Sequence, residues 1–303
     1  MTAAGLFAGA ALSQTAPILL AALAAMFTQR ANILNVAVEG MMLAAALAAI
    51  AVGQASGSIA LGVAAALGVA LALAGLFGAI TVGLGADAIV AGLGINLLAS
   101  GGTLFVLEEV YDSPGGLRPD NFPNLPALQG QSVIVLASLL LVPISAVFLY
   151  RTPLGAALRA AGEDAAAARA AGISVARMRL LSVLLSGAVA ALGGAELAMD
   201  KLHFFLPAMT SGRGFIGLAA MLFGGGTPWG TAAAAFVFGI AGAAADRLQA
   251  WQVPSEFVLM VPYATAVVAL TAARLRAIAR LRPAAVRPVR PTDVKPLAEG
   301  DPA

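Results

Sequence analysis

The chain has 303 residues, 60% of them hydrophobic and 11% charged, with a formal net charge of +2 and a mean hydropathy of +0.93. That is too apolar and too sparsely charged for a soluble domain, so lipid must be the solvent for most of it. With no cysteine, disulfides, thiolate metal sites and cysteine nucleophiles are excluded.

Apolar runs near residues 11–28, 36–53, 58–83, 86–107, 132–150, 180–199, 215–226, 229–246 and 256–273 mostly approach the roughly 20 residues that cross about 30 Å of hydrocarbon as helix. They lack the apolar/polar alternation of barrel strands. The expectation is an all-α, polytopic membrane helix bundle of eight or nine spans, some short or broken, with residues 1–274 as one transmembrane domain. The first run has no Lys or Arg before it and no convincing cleavage site after it, so it reads as a retained span. The 34 glycines suit a closely packed bundle, because small residues let helices approach where lipid supplies no hydrophobic drive.

In RANILNVAVEGMML, Asn32, Asn35 and Glu39 fall at spacings of three and four, which places them on one face of a helix. An ionisable side chain within a span is expensive and usually faces a bundle interior or watery cavity. Glu39 is therefore a candidate functional residue, with an interfacial or helix-pairing role as the alternative. In DAIVAGLGINLLASGGTLF, Gly92, Asn96, Ser100 and Thr103 recur at helical spacing. An uncharged solute could be read there, or an interhelical hydrogen bond made, typically worth about 1 kcal/mol in a membrane.

The loop from Glu108 to Gln131 is acidic and rich in Pro, Gly and Asn. The loop RTPLGAALRAAGEDAAAARAAGISVARMR, residues 151–179, has Pro153 where a helix can begin, then two short Ala-rich segments broken by Gly162 and ended by Gly172. Short helices between spans suit docking on a partner; a solvated loop is the plainer reading. Glu196 groups by spacing with Ser182, Ser186 and Gly193 near the outer end of its span, where an interfacial position would explain it. His203, beside Phe204 and Phe205, has no companions for a metal. GRGFIG, residues 212–217, matches G-x-G-x-x-G but opens an apolar run with no preceding strand, so it is no nucleotide site. No G-x-x-x-x-G-K-[ST] occurs.

Arg151, Arg159, Arg169, Arg177 and Arg179 share one loop, and residues 274–295 hold seven more basic residues; both segments should be cytoplasmic. Counting crossings back from them puts the N-terminus and the acidic 108–131 loop outside. The tail at 275–303 alternates Pro with Arg or Lys and cannot bury a face, which predicts disorder and an anchor to anionic lipid worth about 1 kcal/mol per basic residue.

NVAVEGMML after TAPILLAALAAMFTQRANIL, then IVAGLGINLLASGGT, TPLGAALRAAGEDAAAARAAGI and SGRGFIGLAAMLFGGGTPWG, in that order, resemble the permease subunits of bacterial ABC importers of the branched-chain amino acid and ribose superfamily. The chain is most similar to the shorter permease of general nucleoside uptake systems, although GGAELAM around Glu196 looks more like the longer one. The resemblance implies a non-enzymatic subunit in the bacterial inner membrane, paired with a second, different permease. A cytoplasmic ABC ATPase uses the ATP, an extracytoplasmic substrate-binding lipoprotein delivers a small-molecule solute, and neither nucleic acid nor a cofactor is bound by this chain. It implies ATPase coupling at Gly155, Arg159, Gly162, Glu163 and Gly172. Asn32, Asn35, Glu39, Asn96, Ser100 and Glu196 are the candidates for the substrate pathway, with Phe27 or Phe105 as a surface on which a base could stack. Ribose or another simple sugar is the alternative substrate. An ion-coupled secondary transporter with Glu39 or Glu196 as its carboxylate is the alternative from another class, but it has no need of a docking loop, and the chain lacks a clear inverted repeat.

Overall fold

The computed structural model describes residues 3–119, 122, 125–128, 130–250 and 271. The apolar run at 256–273, residue 271 apart, and the basic tail lie outside the described residues. The described chain folds as helices α1 (Ala3–Gln29), α2 (Val38–Ser56), α3 (Ile59–Gly78), α4 (Ala88–Tyr111), α5 (Val133–Arg151), α6 (Pro153–Glu163), α7 (Ala165–Ala170), α8 (Val175–Glu196), α9 (Arg213–Phe223) and α10 (Pro228–Ala250). Wider π-helical turns extend α3 over Ala79–Gly83 and α8 over Leu197–Leu202. The strands, β1 (Ala127–Leu128) and β2 (Gln131–Ser132), form a two-stranded hairpin in the loop before α5. Seven of the described helices are long and apolar enough to cross a membrane, and α9 is a shorter apolar helix.

The core is built around α1, which is apolar on every side and buried on every side from Ala16 to Phe27, as an all-round hydrophobic helix must be. It packs against α8, α9 and α10 and, less extensively, α5. The α1–α10 contact is close because Gly239 lies directly against Thr15. By contrast α3 and α4 are mostly exposed and lean on α2 and α8. Glycine contacts fix the directions. Gly92 lies against Val36 and Ala37 while Asn96 and Ala99 meet Gly40, so α4 runs parallel to α2. Gly217 lies against Ala21 and Ala22 while Gly226 approaches Gln29 and Arg30, so α9 runs parallel to the second half of α1.

With 11 residues, α9 is about 16 Å long, roughly half the hydrocarbon thickness. It therefore begins level with the middle of α1. The segment before it, residues 203–212, makes a short antiparallel bridge with the loop after α4: the Leu117 and Phe205 amides donate to each other's carbonyls at 2.9 and 2.8 Å.

One expectation is corrected here. Asn32, Asn35 and Glu39 do not share a helical face, because the helix stops at Gln29 and resumes only at Val38. The Ile33 and Asn32 amides donate back to Thr28 and Gln29 carbonyls, and Asn32 has φ +59°. This is the two-bond closure that ends helices on a left-handed residue, a place asparagine tolerates. The break between the two Ala-rich helices is also shifted. It lies at Asp164, whose carboxylate accepts the Ala166 and Ala167 amides and caps α7, whereas Gly162 stays inside α6.

Candidate functional site

Between α1 and α2 the chain runs as non-helical backbone through the interior, which is tolerated at membrane depth only where protein groups satisfy it. Two side chains, Asn35 and Asn96, do so, and a third, Glu39, satisfies the backbone that enters α9. The Asn35 carbonyl oxygen accepts the Ala37 amide at 2.9 Å, and its amide nitrogen donates to Ser186 Oγ on α8 at 3.0 Å. From α4, Asn96 accepts the Gly40 amide at 2.8 Å and donates to the Val36 carbonyl at 3.0 Å. Glu39, in the first turn of α2, accepts the Gly212 amide at 2.8 Å and the Gly214 amide at 2.6 Å with its two oxygens.

These bonds join the start of α2, the middle of α8, the first half of α4 and the start of α9 at one interior hub. Electrostatically, the Glu39 carboxylate lies where the partial positive charge of α9 concentrates, an interaction worth typically 0.3–1 kcal/mol and up to ~2 when partly buried. The G-x-G-x-x-G pattern acquires a packing meaning. Gly212 adopts φ +77°, a Cβ on Gly214 would stand 2.6 Å from Glu39 Oε2, and Gly217 fits against α1.

The remaining sequence candidates separate. Asn32 is exposed and Ser100 half-buried, one helical turn beyond Asn96. Glu196 is fully buried at the end of α8, where the nearby Gly194 lets the α8 backbone press against Met42, Ala45 and Ala46 of α2. Phe27 is buried with its ring edge-on to Phe148, centroids 6.0 Å apart, so it offers no open face. Phe105 points out of the chain, 63% exposed. His203 has φ +52° and stacks on Phe122 at 6.2 Å. Among the described residues no group of three or more His, Cys, Asp or Glu could hold a metal ion.

The connecting loop forms a second constellation at the Arg30 end of α1. Thr152 caps α6 by accepting the Gly155 amide, with Pro153 in the first turn. Gly155 presses against Phe148 and Leu149. Arg159 donates from Nε to the Leu149 carbonyl at 3.0 Å and covers the Tyr150 ring at 5.0 Å, so it closes the end of α5. Gly162 lies directly on the backbone of Arg30 and Ala31, Glu163 is exposed, and Gly172, at φ +81°, turns the chain out of α7.

Apolar spans around a helix that stops half-way, beside an interrupted neighbour, are the architecture of a polytopic membrane protein. Residues 7–270 match the family described as "Branched-chain amino acid transport system / permease component", and the chain belongs to that family. It is 32% identical over 289 residues to the guanosine ABC transporter permease protein NupQ of Bacillus subtilis, covering 86% of this chain and 90% of that one. To the putative glucose ABC transporter permease protein TsgC13 of Haloferax volcanii it is 32% identical over 259 residues, covering 82% and 78%. To the nucleoside ABC transporter permease protein NupC of Lactococcus lactis it is 29% identical over 289 residues, covering 87% and 90%. No solved structure matches the chain.

Proposed function

We propose that this chain is one permease subunit of an ATP-driven importer of nucleosides in a bacterial inner membrane. It pairs with a second permease, receives solute from an extracytoplasmic lipoprotein, and is driven by a cytoplasmic ABC ATPase docked on α6 and α7. Family membership supports the permease role over the ion-coupled alternative, and the names of NupQ and NupC support the nucleoside. Two distinct guanosine permeases from Bacillus subtilis, both similar to this chain, support pairing with an unlike subunit. In this reading the N-terminus and the 108–131 loop are outside, and the C-terminus is cytoplasmic.

The observation that carries the substrate class is the hub. The positive end of α9 already holds the Glu39 carboxylate, so the anion site at that helix end is occupied from within the chain. The solute passing beside it is uncharged, and phosphorylated analogues are disfavoured by repulsion from Glu39. Asn35, Glu39 and Asn96 shape this pathway mainly by fixing the ends of α2 and α9, while Ser100, beyond Asn96 on α4, offers its hydroxyl to ribose. Glu196 supports the pathway from behind.

The decisive test is ATP-dependent uptake by the whole importer in proteoliposomes, with labelled guanosine, ribose and guanosine monophosphate compared. Uptake of guanosine alone is expected. Uptake of ribose instead would shift the assignment to the sugar reading, which the similarity to TsgC13 supports. Transport by this chain without any ATPase would overturn the importer.

A further inference from the structure

Sequence reading assigns Arg30 to the cytoplasmic basic residues and to no site, yet in the structure it touches both the end of α9 and α6. Its guanidinium donates from Nε to the Gly226 carbonyl at 2.6 Å and from Nη2 to the Gly225 carbonyl at 3.4 Å. These carbonyls lie just past the end of α9, where the Gly225 and Gly226 amides fold back onto Leu222 and Met221. A cation is stabilised at this negative helix end. The backbone of the same residue is the floor on which α6 rests: a Cβ on Gly162 would strike the Arg30 carbonyl oxygen.

The other end of α9 is held by Glu39 through the Gly212 and Gly214 amides. One stretch of ten residues, 30–39, thus grips both ends of an 11-residue helix with charges of the sign each end requires. There is little slack along the line. Gly162 meets the Arg30 backbone and Gly217 meets α1, each with no room for a methyl group. A displacement of α6 along or away from the end of α1 is therefore carried into Arg30, through its side chain into α9, and through the α9 amides into Glu39 and the start of α2.

We propose that Arg30 is the positioning residue that connects the α6 segment to the interior hub, with α9 moving as a rigid strut between them. It acts on solute through α9, and no contact with solute is required of it. The proposal rests on the reading of α6 and α7 as the face that docks the ATPase.

The test uses the assembled importer in proteoliposomes and measures ATP hydrolysis and guanosine uptake on the same preparation for wild type, Arg30→Gln and Arg30→Lys. Assembly is checked by co-purification of all subunits. For Arg30→Gln the expected result is hydrolysis within about twofold of wild type with uptake reduced tenfold or more, so that ATP consumed per solute rises about tenfold. Arg30→Lys, which keeps the charge, restores part of the uptake. A variant that merely weakened the fold would lose hydrolysis and uptake together in an intact assembly, and that result overturns the proposal. Unchanged uptake in Arg30→Gln overturns it as well. If the wild-type importer shows no ATP-dependent uptake of any solute, the importer reading itself has failed, an outcome distinct from either result for Arg30.

Discussion

Each hydrogen-bonded side chain of the hub answers a backbone group that would otherwise lie unsatisfied at membrane depth, so the cost of removing one is the cost of that exposure, about 1–3 kcal/mol per group. Asn96→Leu leaves the Gly40 amide and the Val36 carbonyl without their partner. The expected outcome is a destabilisation of about 2–5 kcal/mol in thermal unfolding of the assembled importer, with uptake lost. Asn35 and Ser186 make a single bond between side chains. A double-mutant cycle to alanine should return a coupling of only about 0.6–1 kcal/mol, as for other hydrogen bonds within membranes. Gly214→Ala is severe for a different reason. Its methyl group would stand 2.6 Å from Glu39 Oε2 and 2.7 Å from Glu39 Cα, so overpacking of about 1–3 kcal/mol is expected. Uptake should fall at least tenfold, read beside the melting temperature.

At the scale of elements, α7 is the least supported helix, with six residues and one buried side chain, Ala168. It depends on Asp164, an exposed residue whose carboxyl is held below the ordinary aspartate range by the Ala167 amide first, then the Ala166 amide, and more weakly by the Arg169 charge, against a slight opposing desolvation. Because the folded-state affinity for the proton is lowered, the stabilisation is complete above the ordinary aspartate range and is lost as pH falls through the lowered value. Hydrogen exchange at Ala166 and Ala167 should therefore be faster in Asp164→Ala than in wild type at neutral pH. The difference should close in acid, and Asp164→Asn should retain most of the protection, since asparagine also caps.

The described spans were legible in the sequence because lipid demands continuous apolar runs, and Pro153 announced α6. The 30–37 interruption was hidden by Asn32, Asn35 and Glu39 imitating a helical face, although an asparagine just past a helix end is itself a stop signal. The partners of Glu39 lie more than 170 residues away, and no local pattern could reveal them. The same holds for the glycines of GRGFIG, whose spacing is dictated by Glu39 and α1 rather than by a phosphate.

For the molecule as a whole, the sidedness can be tested cleanly because the chain contains no cysteine. Gly115 and Ala170 are both exposed, and a Cβ on Gly115 meets open space. In spheroplasts a membrane-impermeant maleimide should label Gly115→Cys at once and Ala170→Cys only after lysis; the reverse pattern would invert the assigned topology. The burial of α1 also has a consequence for the order in which the protein is made. In the finished fold α1 is surrounded largely by α8, α9 and α10, which are synthesised more than 140 residues after it. Until they arrive its faces meet lipid, a tolerable wait because lipid tails are as apolar as the side chains that replace them. Final closure of the bundle is thus a late event in biogenesis, and a nascent chain halted before α8 holds its future centre on the outside.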